Sequence, residues 1–224
     1  MALIEKEVVY RMQAYQKNFI HLAIAHQALR FGEFTLKSGR KSPYFFNVGQ
    51  LSSGQALKTL GECYAQAIRG SQIPFDVLFG PAYKGIPLVC AASIGLETLF
   101  QQDVPYAFNR KEAKDHGEGG NIVGASLKGR VLVLDDVITA GTAIRESCQL
   151  IEACHGKVAG ILVALDRQEK GQSDKSALQE MQRLIDAPVT AIITFDDIVQ
   201  YIKQDPGFSD FGKPLADYRN QYGI

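Results

Sequence analysis

Val131–Leu134 is apolar at every position and stops abruptly at two adjacent acids, Asp135 and Asp136. Val137 and Ile138 follow, then Thr139, Ala140, Gly141, Thr142 and Ala143, which open a stretch with helical spacing. An unbroken apolar strand is buried on both faces, and ligands of open α/β sheets bind at the carboxyl ends of such strands. Small side chains let the backbone approach an anion closely. Converging N–H groups and the positive end of the helix dipole then favour a phosphate. Two aspartates would repel that anion unless they faced something else. Ionised near neutrality, they suit a pair of neighbouring hydroxyls or a hydrated divalent cation. A ribose 5-phosphate meets both demands, with phosphate in the loop and cis-diol on the carboxylates. A capped strand end explains any one of these residues, but not the ordered run.

Asn109–Gly120 reads NRKEAKDHGEGG. Arg110, Lys111, Lys114 and His116 crowd into a short stretch of a chain whose 24 Lys and Arg balance 24 Asp and Glu. Gly117, Gly119 and Gly120 add the backbone freedom that a closing lid needs. A solvated loop is the plain alternative. Beside a diphosphate the cluster reads better as a lid that meets charge developing on the leaving group and excludes water. Two further segments sit nearby in the pattern. Gly80–Gly85 (GPAYKG) follows the apolar strand Phe75–Phe79 and brings Tyr83 and Lys84 to the carboxyl edge shared with Asp135. Phe34–Phe46 (FTLKSGRKSPYFF) carries Lys37 and the adjacent Phe45 and Phe46. Neighbours on a strand face opposite ways, so at most one of these two rings can stack on a planar ligand.

The elements that must position these residues follow from periodicity. Apolar residues at helical spacing predict a helix through Val8–Leu29, then an extended piece at Glu33–Leu36, a turn at Ser38–Pro43 and another extended piece at Tyr44–Val48. Leu57, Leu60, Tyr64, Ala67 and Ile68 mark one face of a helix from Gly54, and Ile86–Phe100 reads as a mostly buried helix. Strands Pro105–Asn109, Arg130–Leu134, Lys157–Asp166 and Val189–Phe195 alternate with helices Thr142–Cys154, Ser176–Asp186 and Asp196–Lys203, and Arg110–Gly120 reads as a loop. Such alternation predicts an α/β fold with a mainly parallel central sheet flanked by helices. A single domain over residues 1–224 is expected, with a small N-terminal cap over about 1–53, a core over about 54–204 and a C-terminal extension over 205–224 holding a docked helix.

Composition is that of an ordinary globular chain, 46% hydrophobic and 21% charged, with zero formal net charge. It gives no global field for nucleic acid or an anionic membrane. Cys63, Cys90, Cys148 and Cys154 lack metal or redox spacing and read as buried reduced thiols of a cytoplasmic protein. No run approaches a membrane-spanning length, and the first residues lack a signal-peptide pattern.

The run VLVLDDVITAGTA at Val131–Ala143 resembles the signature of type I phosphoribosyltransferases, which bind 5-phosphoribosyl 1-diphosphate. NRKEAKDHGEGG, with GPAYKG and FTLKSGRKSPYFF, is similar to the orotate phosphoribosyltransferases, over about Phe19–Thr194. The resemblance implies a type I phosphoribosyltransferase-like fold with an N-terminal hood, and Mg²⁺-dependent transfer of phosphoribose to orotate in pyrimidine biosynthesis. It implies donor contacts from Lys37, Tyr83, Lys84, Arg110, Lys111, Lys114, His116 and Asp135 to Ala143. It also implies orotate contacts from Phe45, Phe46, Thr139 and Arg167, whose guanidinium suits a carboxylate. Lys114 would stabilise the leaving group and Asp136 is a candidate proton acceptor. Mg²⁺ would ride on the donor with no direct protein ligand, through water at most to Asp135 and Asp136. A homodimer with shared sites is implied as well. A purine or other-base transferase, or a donor-sensing regulator without catalysis, is the rival reading.

Overall fold

The computed structural model describes residues 12–36, 39–114, 120–138, 141–171 and 174–224, with the side chains of residues 113 and 114 outside that description. In chain order the elements are α1 (Ala14–Ala25), β1 (Leu29–Thr35), β2 (Lys41–Phe46), α2 (Gly54–Ser71), β3 (Val77–Gly80), α3 (Gly85–Phe100), β4 (Tyr106–Lys114), β5 (Gly120–Gly124), β6 (Gly129–Asp135), α4 (Thr142–Ala153), β7 (Gly156–Asp166), α5 (Ala177–Ile185), β8 (Val189–Thr194), α6 (Phe195–Ile202) and α7 (Gly212–Tyr222). The class is α/β as expected. One six-stranded sheet runs β5-β4-β3-β6-β7-β8, parallel except for the edge pair β4–β5.

The apolar run of β6 explains why the sheet is covered twice. Leu132 and Leu134 point into a core shared with Phe19, Leu60, Leu88 and Ile198. Val131 and Val133 point the other way, into a core with Ile144, Ile151, Leu178 and Met181. The period-2 alternation of a strand sends successive side chains to opposite layers, so a strand apolar at every position must lie between two. Strand order reverses between β3 and β6, since the chain leaves β3 towards β4 but leaves β6 towards β7. The crevice at the carboxyl ends of these two strands is where an open α/β sheet binds its ligand.

A separate antiparallel pair, β1–β2, stands apart from this sheet. The C-terminal residues fold back on it: Phe208 and Phe211 pack on Phe31, and Tyr218 of α7 packs on Tyr44.

Four local expectations change. The first helix is α1, ending at Ala25 rather than Leu29, because Leu29 pairs with Phe46 in the β1–β2 ladder; Val8 lies outside the described residues. The expected turn through Pro43 is strand from Lys41, while Ser38 lies outside the described residues. Pro43 is tolerated there because it falls opposite the bulge between Phe31 and Phe34, where no ladder N–H is required. The expected loop Arg110–Gly120 is strand at its described residues: β4 continues to Lys114, and β5, which the periodicity does not reveal, begins at Gly120, with residues 115–119 outside the described residues. Arg110, Lys111 and Glu112 are all charged, so this end of the edge hairpin leaves no apolar alternation to read. Finally, α3 is less buried than its composition suggests, with Ile94 65% exposed and Leu99 and Phe100 also on the surface. Cys63 is buried, whereas Cys90, Cys148 and Cys154 are half-buried, and all are free thiols. Among the described residues, no helix is long and apolar enough to cross a membrane.

Candidate active site

β6 delivers Asp135 and Asp136 to the crevice, and both are more than nine-tenths buried, at 8% and 7% exposure. Buried acids need partners. The Asp136 N–H donates to Asp135 Oδ1 at 2.8 Å, and the Val137 N–H donates to Asp136 Oδ1 at 2.9 Å. Lys84 Nζ lies 2.6 Å from Asp136 Oδ2. The backbone beneath is equally fixed. Tyr64, fully buried on α2, donates its hydroxyl to the Asp135 carbonyl at 2.9 Å, and the N–H groups of Ala164 and Leu165 donate to the Asp136 carbonyl at 2.9 and 3.2 Å.

Burial, with the neighbouring Asp136 charge, pushes the Asp135 carboxyl from 3.8 up to about 7, while Lys84 pulls it down less strongly. This corrects the expectation that Asp135 is fully ionised near neutrality. A raised acid binds a proton in the folded state that the unfolded chain has already released. Stability from this group is therefore full below 3.8 and is lost as pH rises through about 7. Asp135→Asn, neutral throughout, should gain more melting temperature over the parent at pH 8 than at pH 4. Equal differences at both pH values would return Asp135 to an ordinary ionised carboxylate.

The turn between β3 and α3 faces these acids from the next strand. Its Ala82–Tyr83 peptide is cis, and the Ala82 N–H donates to Asn109 Oδ1 at 2.8 Å. Tyr83 is exposed, and Lys111 Nζ sits 5.2 Å from its ring centroid. The basic hairpin is thus tied to the turn at two points, one backbone and one cation–π. Arg110 is half-buried on β4 and Lys111 exposed. In the segment expected to form a phosphate loop, Val137 is half-buried and Ile138 buried, while Thr142 and Ala143 are exposed in the first turn of α4. Gly141 takes φ 72° just before that helix, a left-handed position that suits glycine, and Met181 of α5 crowds it so closely that a Cβ would collide with Cε. Lys37, His116, Thr139, Ala140 and the Lys114 side chain lie outside the described residues.

On the acceptor side, the β2 alternation separates the two phenylalanines. Phe46 is buried against Phe19 at 6.2 Å between centroids. Phe45 faces the other way, 5.6 Å from Phe34, with the Arg30 guanidinium over both rings. Arg167 follows β7, two residues beyond Leu165, which holds the Asp136 carbonyl.

A sequence model described as "Phosphoribosyl transferase domain" matches residues 47–194. The orotate phosphoribosyltransferase of Pseudomonas putida (strain W619) is 56% identical over 213 residues, covering 95% of this chain and all of that protein. The chain belongs to the orotate phosphoribosyltransferase family. The enzyme of that name from Hahella chejuensis is 57% identical over 95% of this chain and 99% of its own length. A crystal structure of orotate phosphoribosyltransferase from Francisella tularensis superposes with a TM-score of 0.82 at 45% identity, covering 92% of this chain and 99% of that one.

Against that family background, two residues that brace this orotate phosphoribosyltransferase site have no role legible in the sequence, although Asn109 begins the basic run. Asn109 closes the turn between β3 and α3, and Tyr64 holds the acidic strand end. Tyr64 showed only as one apolar position on a helix face; nothing local indicates that its hydroxyl meets a residue 71 positions away. Among the described residues, no group of three or more His, Cys, Asp or Glu side chains is arranged to hold a metal ion.

Proposed function

We propose that this chain transfers the 5-phosphoribosyl group from 5-phosphoribosyl 1-diphosphate to orotate, giving orotidine 5′-monophosphate and pyrophosphate, with inversion at the anomeric carbon. The observation that carries this reading is the buried Asp135–Asp136 pair, with Lys84 on Asp136, beside the loop to Ala143 at the sheet's reversal point. The orotate ring nitrogen forms the new bond to the anomeric carbon as the bond to the diphosphate oxygen breaks. The nitrogen's proton leaves, and Asp136 is the carboxylate we assign to receive it.

Asp135 and Asp136 would hold the ribose hydroxyls. Val137, Ile138, Thr139, Ala140, Gly141, Thr142 and Ala143 would hold the 5-phosphate against the start of α4. Lys37, Tyr83 and Lys84 would grip the donor, and Arg110, Lys111, Lys114 and His116 would gather on the diphosphate where charge builds. Phe45, Phe46, Thr139 and Arg167 would line the orotate side. Mg²⁺ prefers to keep its waters and needs few protein ligands. Two adjacent carboxylates, one already paired with Lys84, fit a hydrated cation carried in on the donor. Bound there, it would offset diphosphate charge.

In this reading the chain works as a cytoplasmic homodimer in pyrimidine biosynthesis, as one domain with its cap and C-terminal extension. Ile94, Leu99 and Phe100 on α3, beside a groove of about 270 Å³ between α2 and α3, offer an apolar face for the second copy.

The test is purified protein with Mg²⁺, the donor and single bases, following pyrophosphate release. Turnover with orotate is expected. Turnover with adenine or guanine but not orotate would move the protein to a purine transferase, and tight donor binding without turnover would make it a sensor. Lys114→Ala should lower turnover by about 10²-fold, the scale of one lost preorganised charge stabiliser. An unchanged rate would return Lys114 to the role of a solvated strand-end charge.

A further inference from the structure

Arg167 does not stand alone at the end of β7. Its side chain is 15% exposed and that of Glu169 14%, and a guanidinium so desolvated needs a fixed counter-charge. Arg167 Nε donates to Glu169 Oε1 at 2.7 Å, and Tyr218 of α7 donates its hydroxyl to the same oxygen at 2.7 Å. Arg40 Nη1 approaches the other carboxylate oxygen at 3.7 Å. Arg167 Nη2 reaches Ser42 Oγ and Tyr218 Oη, each at 3.4 Å, and the guanidinium lies 4.3 Å from the Tyr44 ring centroid. The guanidinium plane is thus set by a ring face, while its Nε–Nη2 edge is held by one carboxylate and two hydroxyls.

The C-terminal segment is fastened to the loop that carries Arg167. The Lys170 N–H donates to the Tyr222 carbonyl at 2.8 Å, and the Ile224 N–H donates to the Gln168 carbonyl at 3.2 Å. Arg219 donates to Gln168 Oε1 at 3.3 Å and to Asp196 Oδ2 at 3.2 Å. None of these contacts is made to Lys84, Asp135 or Asp136, which are held by β3, β6, α2 and the Ala164 and Leu165 N–H groups of β7.

We infer that Glu169 and Tyr218 are positioning residues that aim Arg167 at the carboxylate of the acceptor base, so that the C-terminal helix sets acceptor selectivity. This rests on the proposed contact between Arg167 and orotate. A guanidinium already fixed in plane loses little freedom when it meets a planar carboxylate. An acceptor lacking the carboxylate leaves that desolvated donor poorly satisfied, which is how a polar site rejects an analogue.

The experiment compares the parent with Tyr218→Phe, Glu169→Gln and Arg167→Met, using orotate and uracil, which is orotate without its carboxylate. Tyr218→Phe keeps the ring packing on Tyr44, Phe195 and Tyr222 while removing the hydroxyl. For Tyr218→Phe and Glu169→Gln, the KM for orotate should rise about tenfold, the scale of one hydrogen bond to a charged group. The KM for the donor should stay unchanged, and the preference for orotate over uracil should fall in step. An unchanged KM for orotate, or a joint rise of both substrates' KM with a lower Tm, overturns the positioning role. If Arg167→Met loses the preference while Tyr218→Phe keeps it, the positioning role alone is lost. If Arg167→Met also keeps it, the assignment of Arg167 to orotate fails with it.

Discussion

Asp136→Asn is expected to lower turnover by about 10³-fold, close to 4 kcal/mol of barrier, at the upper end of what one preorganised electrostatic group supplies. The size follows from two losses at one position. The amide cannot take the proton that leaves orotate. It also leaves Lys84 Nζ, now 2.6 Å from Oδ2, without its anionic partner beside the donor. The fold should survive, because Asn keeps an acceptor for the Val137 N–H and the Asp136 backbone carbonyl stays held by Ala164 and Leu165. Steady-state turnover with a melting curve checks this, and an Asp136→Asn protein within a few-fold of the parent would end the acid–base assignment. Mixing Asp136→Asn with Lys114→Ala extends the test to the assembly. If a lid from one subunit serves the site of the other, some mixed dimers hold one intact site and turnover recovers. Without recovery each subunit works alone.

Gly85→Ala should destabilise the protein by about 3 kcal/mol or more, because it overpacks backbone rather than side chain. A Cβ at Gly85 would lie 2.6 Å from the Gly80 carbonyl carbon, 2.6 Å from Pro81 Cδ and 2.9 Å from Gly80 Cα. Neither wall can retreat freely: β3 is buried at each of its positions, and Gly85 starts α3, whose Leu88 and Val89 sit in the core. Relief requires opening the turn that presents Tyr83 and Lys84, so donor KM should rise together with the loss of stability. For a chain of this length the melting temperature should fall by about 6–12 °C. Gly54→Ala, where an added Cβ meets nothing within 4 Å, is the matched control. A Gly85→Ala protein that melts like the Gly54→Ala control would show that the turn gives way without cost.

Legibility in the sequence followed burial and local order. Val131–Leu134 could be read as a doubly covered strand because every position is apolar, and its side chains do divide between two cores. The acidic pair and the small-residue run lie in one continuous segment, so their shared chemistry was visible before any fold. Pro105–Asn109 reads as strand, but Arg110–Glu112 continue β4 with charged residues alone and so read as loop, and the pairing of Lys114 with Gly120 forms through the ladder rather than through side-chain pattern. Phe45 and Phe46 illustrate the boundary. Alternation required them to face opposite ways, yet only packing placed Phe46 against Phe19 and Phe45 beside Phe34.

The sequence by itself therefore determined the α/β class, the small-residue run with its two acids, the basic segment and the family likeness. Each is written in contiguous residues whose types act locally. Tertiary structure decided that burial raises the Asp135 carboxyl, that Lys84 pairs with Asp136, that Tyr64 and Asn109 brace the site, and that Tyr218 reaches back 49 residues to Glu169. Those outcomes depend on desolvation and on directional hydrogen bonds between distant segments. Neither exists until the sheet and its helices have packed.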